Sequence, residues 1–226
     1  MSELTRRGLL AGSVAMTAAG LLLPRGAFAQ DTPPAPKVGG KMTIGMSGAA
    51  TSDTLDPALF LSGPVIIGLL AVCNTLVEID HEGKPQPELA ESFEPDATAK
   101  VWTFKLHEDA TFGDGKKVTA KDVIASFNHH RGENSKSGAK GALEQVVDIR
   151  ADGDHTVVFE LKGGNADFGT VTADYHFIIM PAKEDGSLNW ESGLGTGGYT
   201  LVSHEPGVRV VLKRRGDYFK KDRAWF

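Results

Sequence analysis

A glycine-rich run near the end of the sequence is the first candidate for chemistry, because such loops can wrap phosphate groups with backbone N–H groups. Residues 193–198 read Gly-Leu-Gly-Thr-Gly-Gly. A dinucleotide fingerprint must open a helix, whereas the pattern of a strand follows here, from Tyr199 to Val202. A second run, residues 113–117, lacks the earlier glycine and the Ser or Thr of a P-loop. Neither run predicts a nucleotide site, and we expect no cofactor.

The seven histidines are the second candidate, since imidazole is a common metal ligand. His129 and His130 are adjacent, so on a helix their side chains point about 100° apart and do not face one ion. The other histidines are scattered, without a His-x-x-x-His or Cys-x-x-Cys pair. We therefore expect no metal site built by this chain alone.

Nucleophilic catalysis has little support in the sequence. There is no Gly-x-Ser-x-Gly elbow, and acidic residues are not grouped as a general acid and base pair. The single cysteine, Cys73, follows an apolar stretch, where a buried and inert thiol is expected. Catalytic residues can assemble from distant positions, so an enzyme stays open as an alternative.

The elements that position these residues follow from hydrophobic periodicity. Period-2 alternation predicts strands at 41–46, 76–80 and 101–106, and hairpins at 146–161 and 199–213. Asp152-Gly153-Asp154 and Glu205-Pro206-Gly207 supply the turns of the two hairpins.

Two helices are predicted from their start signals. Ser62 and Pro64 begin one that runs to about Asn74 and is apolar on nearly every face, which indicates a buried helix. Residues 119–122, Thr-Ala-Lys-Asp, nearly form a capping box and begin the other, which ends near Arg131. The long loop at 47–63 precedes the first helix, and loops of this length tend to be functional.

The first 29 residues differ from the rest of the 226-residue chain. Arg6 and Arg7 precede an apolar run at 9–23, and residues 27–29 are Ala-Phe-Ala, which together predict a twin-arginine export signal cleaved after Ala29. Residues 30–40 form a flexible leader rich in proline and glycine.

Composition and charge restrict the class of the exported protein. With 41% hydrophobic and 23% charged residues, the chain is typical of soluble mixed domains. Removal of the signal deletes three arginines and one glutamate, so the formal charge falls by two from −5. The basic cluster at 213–215 indicates a solvated strand end, and we expect no nucleic-acid partner.

An ordered series of motifs resembles solute-binding protein family 5 of ABC importers, the group of oligopeptide-, dipeptide- and nickel-binding proteins. The matching segments are Leu-Asp-Pro-Ala at 55–58, Asn-Thr-Leu-Val-Glu-Ile-Asp at 74–80, Pro-Glu-Leu-Ala-Glu-Ser-Phe-Glu at 87–94, Val-Trp-Thr-Phe-Lys-Leu at 101–106, Phe-Gly-Asp-Gly-Lys-Lys-Val-Thr-Ala-Lys-Asp-Val at 112–123, Gly-Thr-Gly-Gly-Tyr at 195–199 and Gly-Asp-Tyr-Phe at 216–219. Gly198 replaces the family's usual proline.

The resemblance implies a mixed α/β fold of the periplasmic binding protein type II class. Lobe I would comprise 41–75 and 186–226, with a smaller inserted α/β domain at 76–185. The strands at 41–46 and 199–213 would lie in the mixed sheet of lobe I. Family members continue through a second lobe, so we expect a truncated chain in which that lobe is missing.

The resemblance also implies the position of a solute cleft. Its expected lining residues are Phe60, Ser62, Gly63, Lys140, Asp174, Tyr175 and His176. Aromatic side chains, and side chains that combine an apolar part with a polar group, suit a partly desolvated pocket. The alternatives are that Phe60 is ordinary core and that Lys140 is a solvated loop charge.

The implied function is capture of a peptide or peptide-like solute for the membrane subunits of an ABC permease. We expect a periplasmic, monomeric protein that is not an enzyme. The alternatives are a carrier of a metal complex or opine and, from a different class, an exported hydrolase. Because half of the cleft would be absent, we expect residues 30–226 alone to bind solute weakly or not at all.

Overall fold

A computed structural model describes residues 36–226. The predicted export signal, its cleavage position and most of the leader lie outside these residues. Within this range, every helix is too short or too polar to cross a lipid bilayer.

The described residues form a mixed α/β structure. Its α-helices are α1 Gly63–Val72, α2 Ala120–His129 and α3 Phe168–Val171. Its strands are β1 Val77–Ile79, β2 Pro85–Pro87, β3 Ala90–Pro95, β4 Val101–Leu106, β5 Val146–Ala151, β6 Thr156–Leu161, β7 Tyr199–Glu205 and β8 Arg209–Arg214. Short 3-10 helices occupy Pro57–Leu59, Lys140–Leu143 and Trp190–Ser192.

A four-stranded antiparallel sheet in the order β3-β4-β6-β5 supports the larger hydrophobic core. The sequence predicts its central strand β4 correctly, with Trp102, Phe104 and Leu106 buried on one face. Phe104 lies opposite Phe93 on β3 and Val157 on β6. The predicted hairpin β5–β6 is also present, and Gly153 has the positive φ of 80° that its turn requires.

Helix α2 packs on this core through the face that its periodicity predicts. The Phe127 ring lies 4.9 Å from Phe159 and 5.1 Å from Phe177. At the start of the helix, the Asp122 carboxylate accepts hydrogen bonds of 2.8 Å from the amide and the hydroxyl of Thr119. The capping box therefore fixes the residue at which α2 begins. The length of the helix then sets where its last residues lie.

Helix α1 packs on the two-stranded hairpin β7–β8 along one face only. Val65, Leu69 and Val72 are buried, as the spacing of one helix face requires. The predicted helix is present but only partly buried, because Ile67 and Leu70 are 48% and 42% exposed. No element in the described part of the chain covers that side of the helix.

The predicted strand at 41–46 is absent from the structure. Residues 41–46 are irregular, and the side chains of Met42, Ile44 and Met46 are exposed. Alternation alone does not make a strand, because a strand also needs a partner that accepts its backbone hydrogen bonds. Strands β7 and β8 pair only with each other among residues 36–226, so the expected sheet with 41–46 is not formed.

The glycine-rich run packs closely against the C-terminal end of α1. The Gly197 amide donates to the Val72 carbonyl over 2.7 Å, and a Cβ atom on Gly195 would overlap the same carbonyl. Gly195 in turn accepts a 3.1 Å hydrogen bond from the Gly113 amide. Here the glycines serve close backbone approach rather than phosphate binding.

Arg215 departs from the prediction of a solvated basic cluster. Its side chain is buried and donates to the Thr111 carbonyl over 2.9 Å and to both carboxylate oxygens of Asp217 over 3.0 Å. Burial is tolerated because these acceptors satisfy the guanidinium. The hydrogen bonds also hold the pKa of Asp217 below its usual range.

Candidate functional site

Three separate segments meet at the C-terminal end of α2. They are the loop at 56–60, the loop at 137–139 and residues 174–176. The end of α2 brings them together because His129 and His130 contact different segments. A rigid helix end thus positions loops that are distant in sequence.

Asp56 ties the first loop to α2. One oxygen of its carboxylate lies 2.6 Å from Nε2 of His129 and accepts a 2.9 Å hydrogen bond from the Ala58 amide. Burial alone raises the pKa of Asp56, but the hydrogen bonds from His129 and Ala58 outweigh it and lower the pKa below its ordinary value. The loop therefore carries a carboxylate at neutral pH.

An aromatic row crosses the site. The His176 ring stacks between Phe60, at a centroid distance of 6.3 Å, and Tyr175, at 4.1 Å. Nδ1 of His176 lies 2.7 Å from the Asp174 carboxylate, which also accepts from the His176 amide over 3.0 Å. Phe60 is 5% exposed and Tyr175 is 37% exposed, so the row runs from the interior to the surface.

The loop at 137–139 closes the site from the third side. The Gly138 amide donates to the Ala58 carbonyl over 3.2 Å, and a Cβ atom on Gly138 would lie 3.5 Å from Nε2 of His176. The glycine therefore lets this loop pass close to the buried His176 ring. This loop also provides Ser137, whose hydroxyl lies 2.7 Å from Nδ1 of His130.

Ser62 borders a small recess next to the aromatic row. The recess has a volume of about 20 Å³ and is lined in part by Phe60, Leu61 and Ser62. The Ser62 hydroxyl is buried there without a hydrogen-bond partner among the described residues. A buried hydroxyl in that state gains by bonding an incoming polar group. Gly63, which begins α1, is exposed beside it.

Lys140 lies apart from the aromatic row. Its ammonium donates to the Glu133 carbonyl over 3.0 Å in an exposed position. Asp174, by contrast, also borders an open groove of about 410 Å³ whose walls include Ile79, Ala142 and Val171. Of the seven expected lining residues, the structure brings Phe60, Asp174 and Tyr175 against the His176 ring.

Sequence reasoning missed the residues that organise this site. Asp56, His129, His130 and Ser137 hold the three segments together. For His129 and His130, the sequence does carry a signal. Two adjacent histidines on a helix point in different directions, which argues against a shared metal ion but allows each to contact a different loop. Between residues 36 and 226, no group of three potential metal ligands converges.

Comparison with known proteins supports one family. The sequence model of "Bacterial extracellular solute-binding proteins, family 5 Middle" matches residues 84–226. The periplasmic oligopeptide-binding protein OppA of Salmonella typhimurium is 32% identical over 247 aligned residues, which cover 97% of this chain and 44% of the relative. The chain thus spans less than half the length of this curated relative.

Solved structures support the same fold. The binding protein AgaA of A. tumefaciens R10, in complex with agropinic acid, is 28% identical with a TM-score of 0.69, over 76% of this chain and 35% of AgaA. Haemophilus influenzae OppA, in complex with the peptide RPPGFSPFR, is 24% identical with a TM-score of 0.67, over 76% of this chain and 38% of OppA. Both similarities agree with a mixed α/β fold.

Proposed function

We propose, from the premise that this chain belongs to the bacterial extracellular solute-binding proteins of family 5, that it contributes one wall of a peptide-binding cleft. The protein captures a peptide or peptide-like solute and delivers it to the membrane subunits of an ABC permease. It acts as a monomer and performs no bond chemistry on the solute.

The aromatic row Phe60–His176–Tyr175 is the observation that carries this proposal. It combines stacking surface with a fixed imidazole and ends in a partly exposed tyrosine. Apolar walls with few polar groups suit a ligand that alternates amide groups and side chains. The unpartnered Ser62 hydroxyl adds a hydrogen-bonding group beside the row.

The architecture we propose follows the family. Residues 41–75 and 186–226 belong to lobe I, and residues 76–185 form the inserted domain. Residues 1–29 direct export to the periplasm, and cleavage follows Ala29. A hinged second lobe would close on solute held against the row.

Nuclear magnetic resonance of the full chain tests the proposed site, since it detects the millimolar binding expected of one wall of a cleft. Addition of short peptides should shift the ring resonances of His176 and Tyr175. His176→Ala should weaken peptide binding by about fivefold, because a stacked ring contributes about 1 kcal/mol beyond its buried area. His81→Gln, a change at an exposed histidine, is the matched control. Absence of shifts with every peptide, together with shifts on addition of another solute such as agropinic acid, would contradict the peptide assignment.

An opine is the second candidate solute, because AgaA was solved with agropinic acid and is 28% identical to this chain. The same titration with agropinic acid distinguishes the two, since only the true solute class should shift His176. Product analysis after long incubation with the bound solute tests the hydrolase alternative. A carrier returns the solute unchanged.

A further inference from the structure

The two adjacent histidines at the end of α2 contact different loops. His129 pairs with Asp56 over 2.6 Å, whereas Nδ1 of His130 lies 2.7 Å from the Ser137 hydroxyl. Their divergence, which argues against a shared metal ion, lets one helix end hold two loops. The proposed function uses neither histidine directly.

His130 is buried, and one of its two ring nitrogens is unpartnered among the residues that the structure describes. Its side chain is 0% exposed, and Nε2 has no hydrogen-bond partner within residues 36–226. The rings around it belong to Phe177 at 5.2 Å, His129 at 5.6 Å and His176 at 6.4 Å.

The two carboxylates of the cluster are already engaged. Asp56 is bonded to His129, and Asp174 is bonded to His176. A proton on Nε2 of His130 would therefore place a buried charge beside two other imidazoles, and the Asp56 carboxylate and the His176 backbone offset this only in part.

We propose that His130 is a pH-sensitive latch, which holds the loop at 137–139 on the end of α2 while it is neutral and releases that loop when it is protonated. The inference rests on the proposed function only in assigning this loop to the solute site. Release would break the hydrogen bond from Gly138 to Ala58 and move the loop away from the His176 ring. Acidification would thus loosen the hold on solute.

A continuous series of contacts connects His130, through the loop at 137–139, to the loop at 56–60. Ser137 accepts or donates the bond to His130 and also accepts a 3.1 Å hydrogen bond from the Ala139 amide. The intervening Gly138 amide donates to the Ala58 carbonyl, two residues before Phe60. Movement of His130 out of its buried position breaks the first contact and removes the support for the others.

The direction of the pH effect follows from the histidine's surroundings. Burial, and then the neighbouring His129 and His176, lower the pKa of His130 from 6.5 to about 4 in the docked state. In the open state the imidazole regains its ordinary pKa, so opening takes up a proton between those two values. The docked state is fully stable above pH 6.5 and loses stability as the pH falls from there toward 4.

Amide hydrogen exchange of the full chain without solute tests the latch. After correction for the intrinsic pH dependence of exchange, the opening equilibrium of the Gly138 amide should be about 30-fold larger at pH 5 than at pH 7.5. The amide of Leu106, which donates to His155 beside the central sheet, should not show this change. Because no solute is present, failure of the proposed function leaves this result unaffected.

His130→Gln removes the titrating group and should reduce the pH effect to within about threefold. His81→Gln, at an exposed position, should retain the wild-type profile. A flat wild-type profile, or an unchanged profile in His130→Gln, overturns the latch. If His130→Gln does not fold, the His130 ring titration in the wild-type chain decides: a pKa near 6.5 overturns the proposal, and a value near 4 supports it.

Discussion

Two regions of the molecule show a similar alternation of apolar and polar residues but bury their apolar side chains to different depths. The sheet unit comprises residues 76–179, and the hairpin unit comprises α1 with β7–β8. Along β4, the inward residues are fully buried between the neighbouring strands and α2. Along β8, the inward residues are only half-buried, and Val211 on the opposite face is exposed. The alternation along the strands is thus similar in the two units, but the depth at which the inward side chains are buried differs.

The difference lies in how many elements cover each sheet. In the four-stranded sheet, β3 and β5 flank the two central strands, and α2 packs on the core face. In the described range, the hairpin has only α1 on one face. A two-stranded sheet alone is marginally stable in water, so the hairpin depends on its contact with α1. Gly68 marks that contact, since a Cβ atom there would lie 3.1 Å from a methyl group of Val210.

Matched leucine substitutions give the largest test of this comparison. Leu106→Ala in β4 should lower the free energy of unfolding by about 3 kcal/mol, because it leaves a cavity in a fully packed core. Leu212→Ala in β8 should cost about 1 kcal/mol, because the side chain is already partly solvated. Urea unfolding of the full chain measures both.

The control is the unfolding slope, which should match the wild type if both variants keep a two-state transition. Equal losses for the two leucines would show that the hairpin unit is packed as tightly as the sheet unit. The comparison would then be wrong.

Local patterns predicted most elements of both units. The Trp102, Phe104 and Leu106 alternation, the Thr119–Asp122 capping box and the turn at Gly153 each depend on neighbours in sequence, and the structure contains all three. The strand predicted at 41–46 failed because pairing depends on a distant partner. Strands β2 and β3 were missed, since Pro85 and Pro95 at their ends obscure the alternation.

The site was predictable only in part for the same reason. Family position suggested Phe60 and His176, and their contact agrees with a shared site. The tertiary partners of the Asp56 and His130 side chains, His129 and Ser137, could not be derived from spacing. Residues that join distant loops leave no periodic signal, because their spacing depends on loop lengths rather than on a helix or strand repeat.

A smaller effect tests the contact between the glycine-rich run and the end of α1. Gly195→Ala should destabilise the chain by about 2 kcal/mol, because the added methyl group overlaps the Val72 carbonyl and Cys73. Gly216→Ala, where no atom lies within 4 Å of the added carbon, should change stability by less than about 0.5 kcal/mol. Thermal unfolding compares the two variants. A neutral Gly195→Ala would show that the glycine run does not need to pack closely against the end of α1.

The smallest expected effect concerns the hairpin's own ion pair. Arg209 donates to the Glu205 carboxylate over 2.6 Å and 2.9 Å across the turn, and both side chains are largely exposed. Glu205→Ala should therefore cost less than about 0.5 kcal/mol, since solvent and salt screen exposed pairs. Urea unfolding at low and high salt measures this contribution, and the small loss should vanish at high salt. A loss of more than about 1 kcal/mol that persists in salt would mean that charge pairing, rather than packing on α1, holds the hairpin together.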